Sequence, residues 1–357
     1  VLPLWLQPSV DKSHWREGDN DRFSRLLEIL PQYQDALNGT AVHGCVARFL
    51  SFDANAAPPF CQVFDAATAA IAFDRVGMHG RAESAIRMLA SLQYPDGGTP
   101  QQVSGAGKVE WGLASGQGRA ILDVGEIVLA LWTHVAITNN TALLLELWPV
   151  VQAAMSFTES LVNKTTGWAL ALEFGSQEVG SAYCSAPQGK AINTLECGAR
   201  LCAAAGRVLC PDGGLAFHRA ARRASIPING LSMSGAKPCG DMSQAYDFME
   251  PLEAAVASDE YITRWYTSAW RNHTGRGGSF GATTDVYASG ETSELARSCY
   301  WSKREVVSLW EGMTNWSWNA STAPGVGGFV DCTTCWPAAC TCWIPNPFSD
   351  RAVWAQS

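Results

Sequence analysis

Charge is scarce in this chain: 16% of its 357 residues are Asp, Glu, Lys or Arg, whereas 47% are hydrophobic. That balance excludes an intrinsically disordered chain, which needs high charge and little apolar surface. The formal charge is -8 and lysine and arginine are nowhere concentrated, which argues against a nucleic-acid partner. The one short basic cluster, Arg219, Arg222 and Arg223, has the spacing of a single helix face and reads as solvated surface. Long charge-free apolar runs are missing too. The longest candidate, Ala120 to Ile137, carries Asp123, Glu126 and His134, so it reads as a buried helix and not as a transmembrane segment. The six histidines are scattered without an HExxH or similar spacing, and neither a metal nor a cofactor is expected. No basic stretch followed by an apolar core opens the chain at Val1, consistent with a processed chain or a fragment.

What the chain does have is a period. Apolar, Ala-rich helical runs restart about every 51 to 65 residues, near Phe64, Arg119, Cys184, Asp241 and Thr292. Two of these regions reach a Pro-Asp-Gly-Gly turn, at Pro95-Asp96-Gly97-Gly98 and Pro211-Asp212-Gly213-Gly214. One helical hairpin cannot bury its apolar face alone, whereas hairpins side by side share a core and can close into a ring. The length leaves room for about six. The expected fold is therefore all-α, a ring of six helical hairpins with long irregular loops. With no Pro/Ser-rich linker or charge block to divide it, one domain spanning 1–357 is expected, with 1–20 an irregular arm and 312–357 an irregular Cys- and Trp-rich segment.

Within that frame, Asp21 to Leu37 has a moderate helical pattern that Pro31 is expected to interrupt. Phe64–Val76 and Arg81–Leu92 form the clearest pair, turned at Gly77 and Gly80, with Asp65 able to cap the first helix. Arg119–Asn139 and Ala142–Val162 form the next, Pro149 kinking or restarting the second member. Cys184–Val208, Asp241–Ala257, Glu260–Arg271 and Thr292–Trp310 continue the series, and Gly275 to Gly290 reads as an irregular loop.

Twelve cysteines and six Asn-x-Ser/Thr sequons, at Asn38, Asn139, Asn163, Asn272, Asn315 and Asn319, point to an extracellular or luminal glycoprotein with mostly bridged cysteines. Their pairing is not readable from sequence. Cys332, Cys335, Cys340 and Cys342 begin with a zinc-like spacing, but the second pair is one residue apart and no histidine completes a site, so disulfides are expected there.

The segment Phe64-Asp65-Ala66-Ala67 with its Ala-rich helix, and the run from Gly116-Gln117-Gly118 through Leu122-Asp123 to Gly125-Glu126, resemble hairpin starts in the six-hairpin (α/α) toroid glycosidases, in particular glucoamylase-like members. The resemblance implies a pocket at one end of the toroid, lined by inner-helix ends and their loops. There one carboxylic acid protonates a glycosidic oxygen and a second carboxylate activates water, with inversion. A carbohydrate or glycan is the implied partner; protein partners are not readable.

Glu173, after Trp168-Ala169-Leu170-Ala171-Leu172, holds a place comparable to the acid of that family, although the adjacent Trp-Glu pair is missing. Glu110, beside Trp111, is a second candidate, with an exposed loop acid as its ordinary reading. For the base, Glu250 with Glu253 and Glu291 with Glu294 are i,i+3 pairs that equally suit capping or solvation. Asp65, Asp123 and Glu126 suit capping, ordering of the pocket or sugar binding. Trp111, Trp168, Trp265, Trp270, Trp316 and Trp318 offer broad apolar faces on which a sugar ring stacks, or simply core packing.

Two other motifs fail. Gly277-Gly278-Ser279-Phe280-Gly281 has the letters of a nucleophile elbow without the strand before it, and Cys184 through Lys190 lacks the first glycine of a phosphate loop. The leading expectation is an extracellular glycoside hydrolase. A non-catalytic carbohydrate-binding or structural glycoprotein on the same toroid and a polysaccharide lyase are the alternatives.

Overall fold

The computed structural model describes residues 19–47, 59–111, 121–169 and 185–230, with two short strands at 318–319 and 328–329. The helices expected after residue 230, the 275–290 loop, residues 1–18 of the arm and the cysteine cluster of the last segment lie outside the described residues.

The first helix, α1 (Asp19–Asp35), runs through Pro31 where an interruption was expected. An interior proline removes one backbone hydrogen bond and crowds the preceding turn. Here the helix is held from outside: Ile29, Leu30 and Tyr33 are fully buried, and Arg81 reaches the Pro31 carbonyl, the Gln34 side chain and the Asp35 carboxylate at 2.9 to 3.5 Å.

Next comes a small antiparallel sheet, β1 (Phe60–Gln62), β2 (Gln102–Ser104) and β3 (Val109–Trp111), in that spatial order, which an all-α reading does not include. β1 runs directly into α2 (Val63–Arg75), and α3 (His79–Ser91) returns antiparallel after Gly77, whose φ of +79° suits only glycine at low cost. The second hairpin is α4 (Ile121–Thr138) against α5 (Thr141–Glu146) and α6 (Trp148–Leu161). Pro149 sits in the first turn of α6, so it restarts the helix where its missing N–H is harmless. The third is α7 (Ser185–Ala205) with α8 (Leu215–Gly230), a partner the sequence pattern did not single out. In α8, Arg219 and Arg222 are exposed, while half-buried Arg223 pairs with Glu159 of α6 at 3.4 Å.

Burial separates the helices into two layers. In α2 every residue from Asp65 to Arg75 is buried, and residues 188–197 of α7 are buried without a break. Such helices lack a solvent face and must be covered on all sides. In α3 only Ala82, Ala85, Ile86, Leu89 and Ala90 are buried, a single stripe at helical spacing, and α6 and α8 show the same one-sided pattern. Thus α2, α4 and α7 are inner helices packed on one another, with α3, α6 and α8 outside them. Three consecutive hairpins of a toroid are present. β5 (Gly328–Phe329), paired antiparallel with β4 (Trp318–Asn319), lies against α1 and brings the late chain back to its beginning.

The sequence period reappears as geometry. Side chains tie each hairpin to the next at nearly constant separations: Thr68 to Glu126 across 58 residues, Phe64 to Asp123 across 59, Asp74 to His134 across 60, and Lys190 to Glu126 and Arg223 to Glu159 across 64. Equivalent positions of neighbouring units meet, as stacked repeats require.

The two Pro-Asp-Gly-Gly turns do different jobs. The first follows an outer helix, and Gly97, at φ +93°, leaves no room for a Cβ against the Ala153 carbonyl of α6. The second lies inside a hairpin, between α7 and α8, where Gly214 at φ +90° abuts the backbone of Ala199. In that turn Asp212 accepts the Gly214 and Ala216 N–H groups and so caps α8; these bonds hold its carboxyl below the usual range.

Candidate functional site

One end of the inner layer collects the acids singled out by sequence. Because β1 feeds α2, the sheet sits at the N-terminal ends of the inner helices. Asp65 of α2 and Asp123 and Glu126 of α4 are buried there. The N-terminal turn of α2 has no side-chain cap from its own flank, since the Gln62 side chain makes no capping bond and Asp65 falls inside the helix. Asp123 takes that role from the neighbouring hairpin, accepting the Phe64 N–H at 2.9 Å. A carboxylate at a helix N-terminus gains from both the free donors and the helix dipole.

Behind this cap lies a buried ion pair that sequence did not disclose. Glu126 and Lys190 have fully buried side chains, and the Lys190 ammonium donates to Oε2 of Glu126 at 2.7 Å. Thr68 donates to Oε1 of the same carboxylate at 2.8 Å, and the ammonium stands 5.6 Å from the centroid of the half-buried Phe64 ring. One carboxylate thus joins α2, α4 and α7. Gly125 makes the approach possible, because a Cβ there would fall 2.5 Å from the Lys190 stem and from Thr194.

Gln188, in the early part of α7, is a second concealed element. Its Oε1 accepts the Ala169 N–H at 2.7 Å, while its amide nitrogen donates to the carbonyls of Gly167 and Ala224 at 3.0 and 2.6 Å. The loop from Asn163 to Trp168 is thereby fixed beside the same end, with Trp168 half-buried in it. Neither Gln188 nor Lys190 belongs to a short motif. The only sequence signal was a polar side chain inside an otherwise buried helical run.

The structure therefore brings Asp65, Asp123, Glu126, Trp168 and the β3 pair Glu110 and Trp111 to one end of the helices. Glu110 is partly exposed and pairs with exposed Lys108 at 3.4 Å, a solvent-screened contact. Glu173, Glu250, Glu253, Glu291, Glu294, Trp265, Trp270 and Trp316 lie outside the described residues, as do Asn272 and Asn315.

The opposite end has different chemistry. Asp74, fully buried, accepts from His134 at 3.0 Å and from His79 at 2.9 Å, and Asn140 caps α5 by accepting the Leu143 N–H at 3.1 Å. This network ties the far ends of α2 and α4 to α3 and α5.

No protein-family model matches the sequence, and no curated protein resembles it in sequence. Solved structures do resemble it in three dimensions. A glycosidase superimposes with a TM-score of 0.65 at 11% identity, over 95% of this chain and 97% of its own. A bacterial glucoamylase complexed with acarbose gives 0.60 at 14% identity, over 92% of this chain and 54% of its own. A D-mannose isomerase gives 0.57 at 12% identity, over 93% and 96%. The fold is the toroid-like one that these structures share. At these identities the likeness extends to the fold and no further. Among the described residues no helix is long and apolar enough to cross a membrane.

Proposed function

We propose that the chain is a glycoside hydrolase acting on an oligosaccharide or glycan at the end where α2, α4 and α7 begin. The observation that carries this reading is the superposition with a glycosidase over nearly the whole of both chains. The gathering of Asp65, Asp123, Glu126, Trp168 and β3 at one end of the inner helices adds to it. The reading includes a single domain closed by six hairpins, which the contact of β5 with α1 favours.

Hydrolysis with inversion requires a protonated carboxylic acid at the glycosidic oxygen and a carboxylate about 6.5–9.5 Å away that activates water. In this proposal Glu173 is the acid, Glu110 the second candidate for it, and Glu250 the candidate base. Asp65 and the tryptophans Trp111, Trp168 and Trp316 contact sugar, the indoles by stacking and the carboxylate by accepting hydroxyl protons. Asp123 and Glu126 serve the site indirectly: the first orders the start of α2 and the second locks three helix ends together, so that loops growing from them keep their spacing.

A second reading, sugar isomerisation, has its own support in the superposition with a D-mannose isomerase. Incubation with a panel of oligosaccharides and free aldoses, read by mass spectrometry and anomeric NMR, separates the two. Hydrolysis adds water across one bond, isomerisation leaves the mass unchanged, and a lyase leaves an unsaturated sugar. Glu173→Gln should retain sugar binding and lose turnover by a factor of 100 or more, on the order of a general acid's contribution. Full turnover in that variant removes Glu173 as the acid, and binding without product in the wild type would favour a carbohydrate-binding protein.

A further inference from the structure

We propose that Asn38, Asn139 and Asn163 are N-glycosylated. A sequon alone carries little weight, but a glycan attached before folding is tolerated only where its asparagine reaches solvent in the finished fold. Asn38, Asn139 and Asn163 are all exposed and meet that condition. Each lies at the end of an element: Asn38 in the turn after α1, Asn139 between α4 and α5, and Asn163 at the start of the loop after α6.

The side-chain geometry leaves the reacting nitrogen available. In Asn163 the oxygen accepts the N–H groups of Thr165 and Thr166, both at 2.9 Å, so the turn is held by Oδ1 and survives substitution at Nδ2. In Asn38 the nitrogen donates to Asp35 at 3.2 Å through one of its two hydrogens, and one N–H remains after a glycan replaces the other. Asn139 adopts φ +56°, a left-handed conformation that asparagine tolerates, on the exposed bend between helices.

A separate observation favours the same compartment. Cys45–Cys61 and Cys202–Cys210 are disulfides whose four cysteines are buried, and such bonds form along the oxidising secretory route. The donor there is an oligosaccharide carried on a lipid pyrophosphate. The asparagine Nδ2 bonds to the anomeric carbon, the carbon–oxygen bond to phosphate breaks with its electron pair leaving on the lipid pyrophosphate, and one amide proton passes to a base. The Gln188 clamp places the Asn163 glycan beside the candidate sugar site, whereas the Asn139 glycan projects from the end that holds Asp74 and His134.

The test is peptide mapping of the protein purified from its own cells, after release by an N-glycan amidase in heavy-oxygen water, which leaves a labelled aspartate at each occupied position. Label is expected at 38, 139 and 163. An unlabelled asparagine at any one of them overturns the assignment for that residue, and label at none overturns the proposal. In a eukaryotic secretory host, Asn38→Asp, Asn139→Asp and Asn163→Asp remove the acceptor amide, and at 163 the carboxylate keeps an oxygen for the Thr165 and Thr166 N–H groups. Each should lower the intact mass by one glycan, and an unchanged glycan mass refutes that position. Neither readout involves sugar turnover, so the result stands apart from the proposed activity.

Discussion

Replacing Lys190 with methionine removes an ammonium from the join between three inner helices while keeping most of the stem that packs on Gly125. Glu126 would keep the Thr68 hydrogen bond and lose its countercharge in a fully buried setting. Breaking one side of a buried pair costs about 3–5 kcal/mol, because the surviving charge stays desolvated without its countercharge. Removing both charges, with Lys190→Met and Glu126→Gln together, leaves a neutral amide that still accepts from Thr68, and replacement of a whole buried pair is often near neutral. The double variant should therefore be more stable than Lys190→Met by on the order of 1–3 kcal/mol. Urea unfolding followed by circular dichroism, run on the wild type, both single variants and the double, measures this. A Lys190→Met cost below about 1 kcal/mol, or a double variant that loses the sum of the two singles, would refute the reasoning.

Gly214→Ala combines a left-handed φ with a Cβ 2.5 Å from the Ala199 carbonyl oxygen, and should destabilise by at least about 1–3 kcal/mol in the same assay. Cys45→Ser with Cys61→Ser opens a loop of 16 residues and should cost about 3 kcal/mol, visible as a lower urea midpoint under non-reducing conditions. Asp35 is held below its ordinary carboxylate range chiefly by the hydrogen bond from Arg81, with desolvation opposing it. A depressed folded-state value means that the contribution is present at neutral pH and is lost as pH falls through the carboxylate range towards that value. Asp35→Asn should accordingly flatten the acid limb of a stability-against-pH curve, and an unchanged limb would count against the Arg81 tie.

The period and the first two hairpins were legible because an inner helix buried on all sides must be apolar almost everywhere, as Ala66 to Phe73 is. Their boundaries follow from Gly77 and Pro149, whose backbone preferences act locally. Pro31 misled for the opposite reason: the ties from Arg81 that carry α1 through it come from 46 to 50 residues away. The role of α8 was hidden by its short apolar stripe, Ala220, Ala221 and Ala224, which small side chains make inconspicuous. At the candidate site the acids Asp65, Asp123 and Glu126 could be named in advance, but not that Asp123 caps the helix of another hairpin. Lys190 escaped notice because a lone lysine in a helix ordinarily means solvent, whereas its carboxylate partner lies 64 residues away in the sequence.

Oligosaccharide turnover in oxygen-18 water, with mass and anomeric analysis of the released sugar, decides whether this toroid-like chain hydrolyses glycosidic bonds. The proposed hydrolysis with inversion puts one heavy oxygen at the new reducing end, on the anomer opposite in configuration to the bond cleaved. Products without the heavy oxygen, or intact oligosaccharides across the panel, would contradict it.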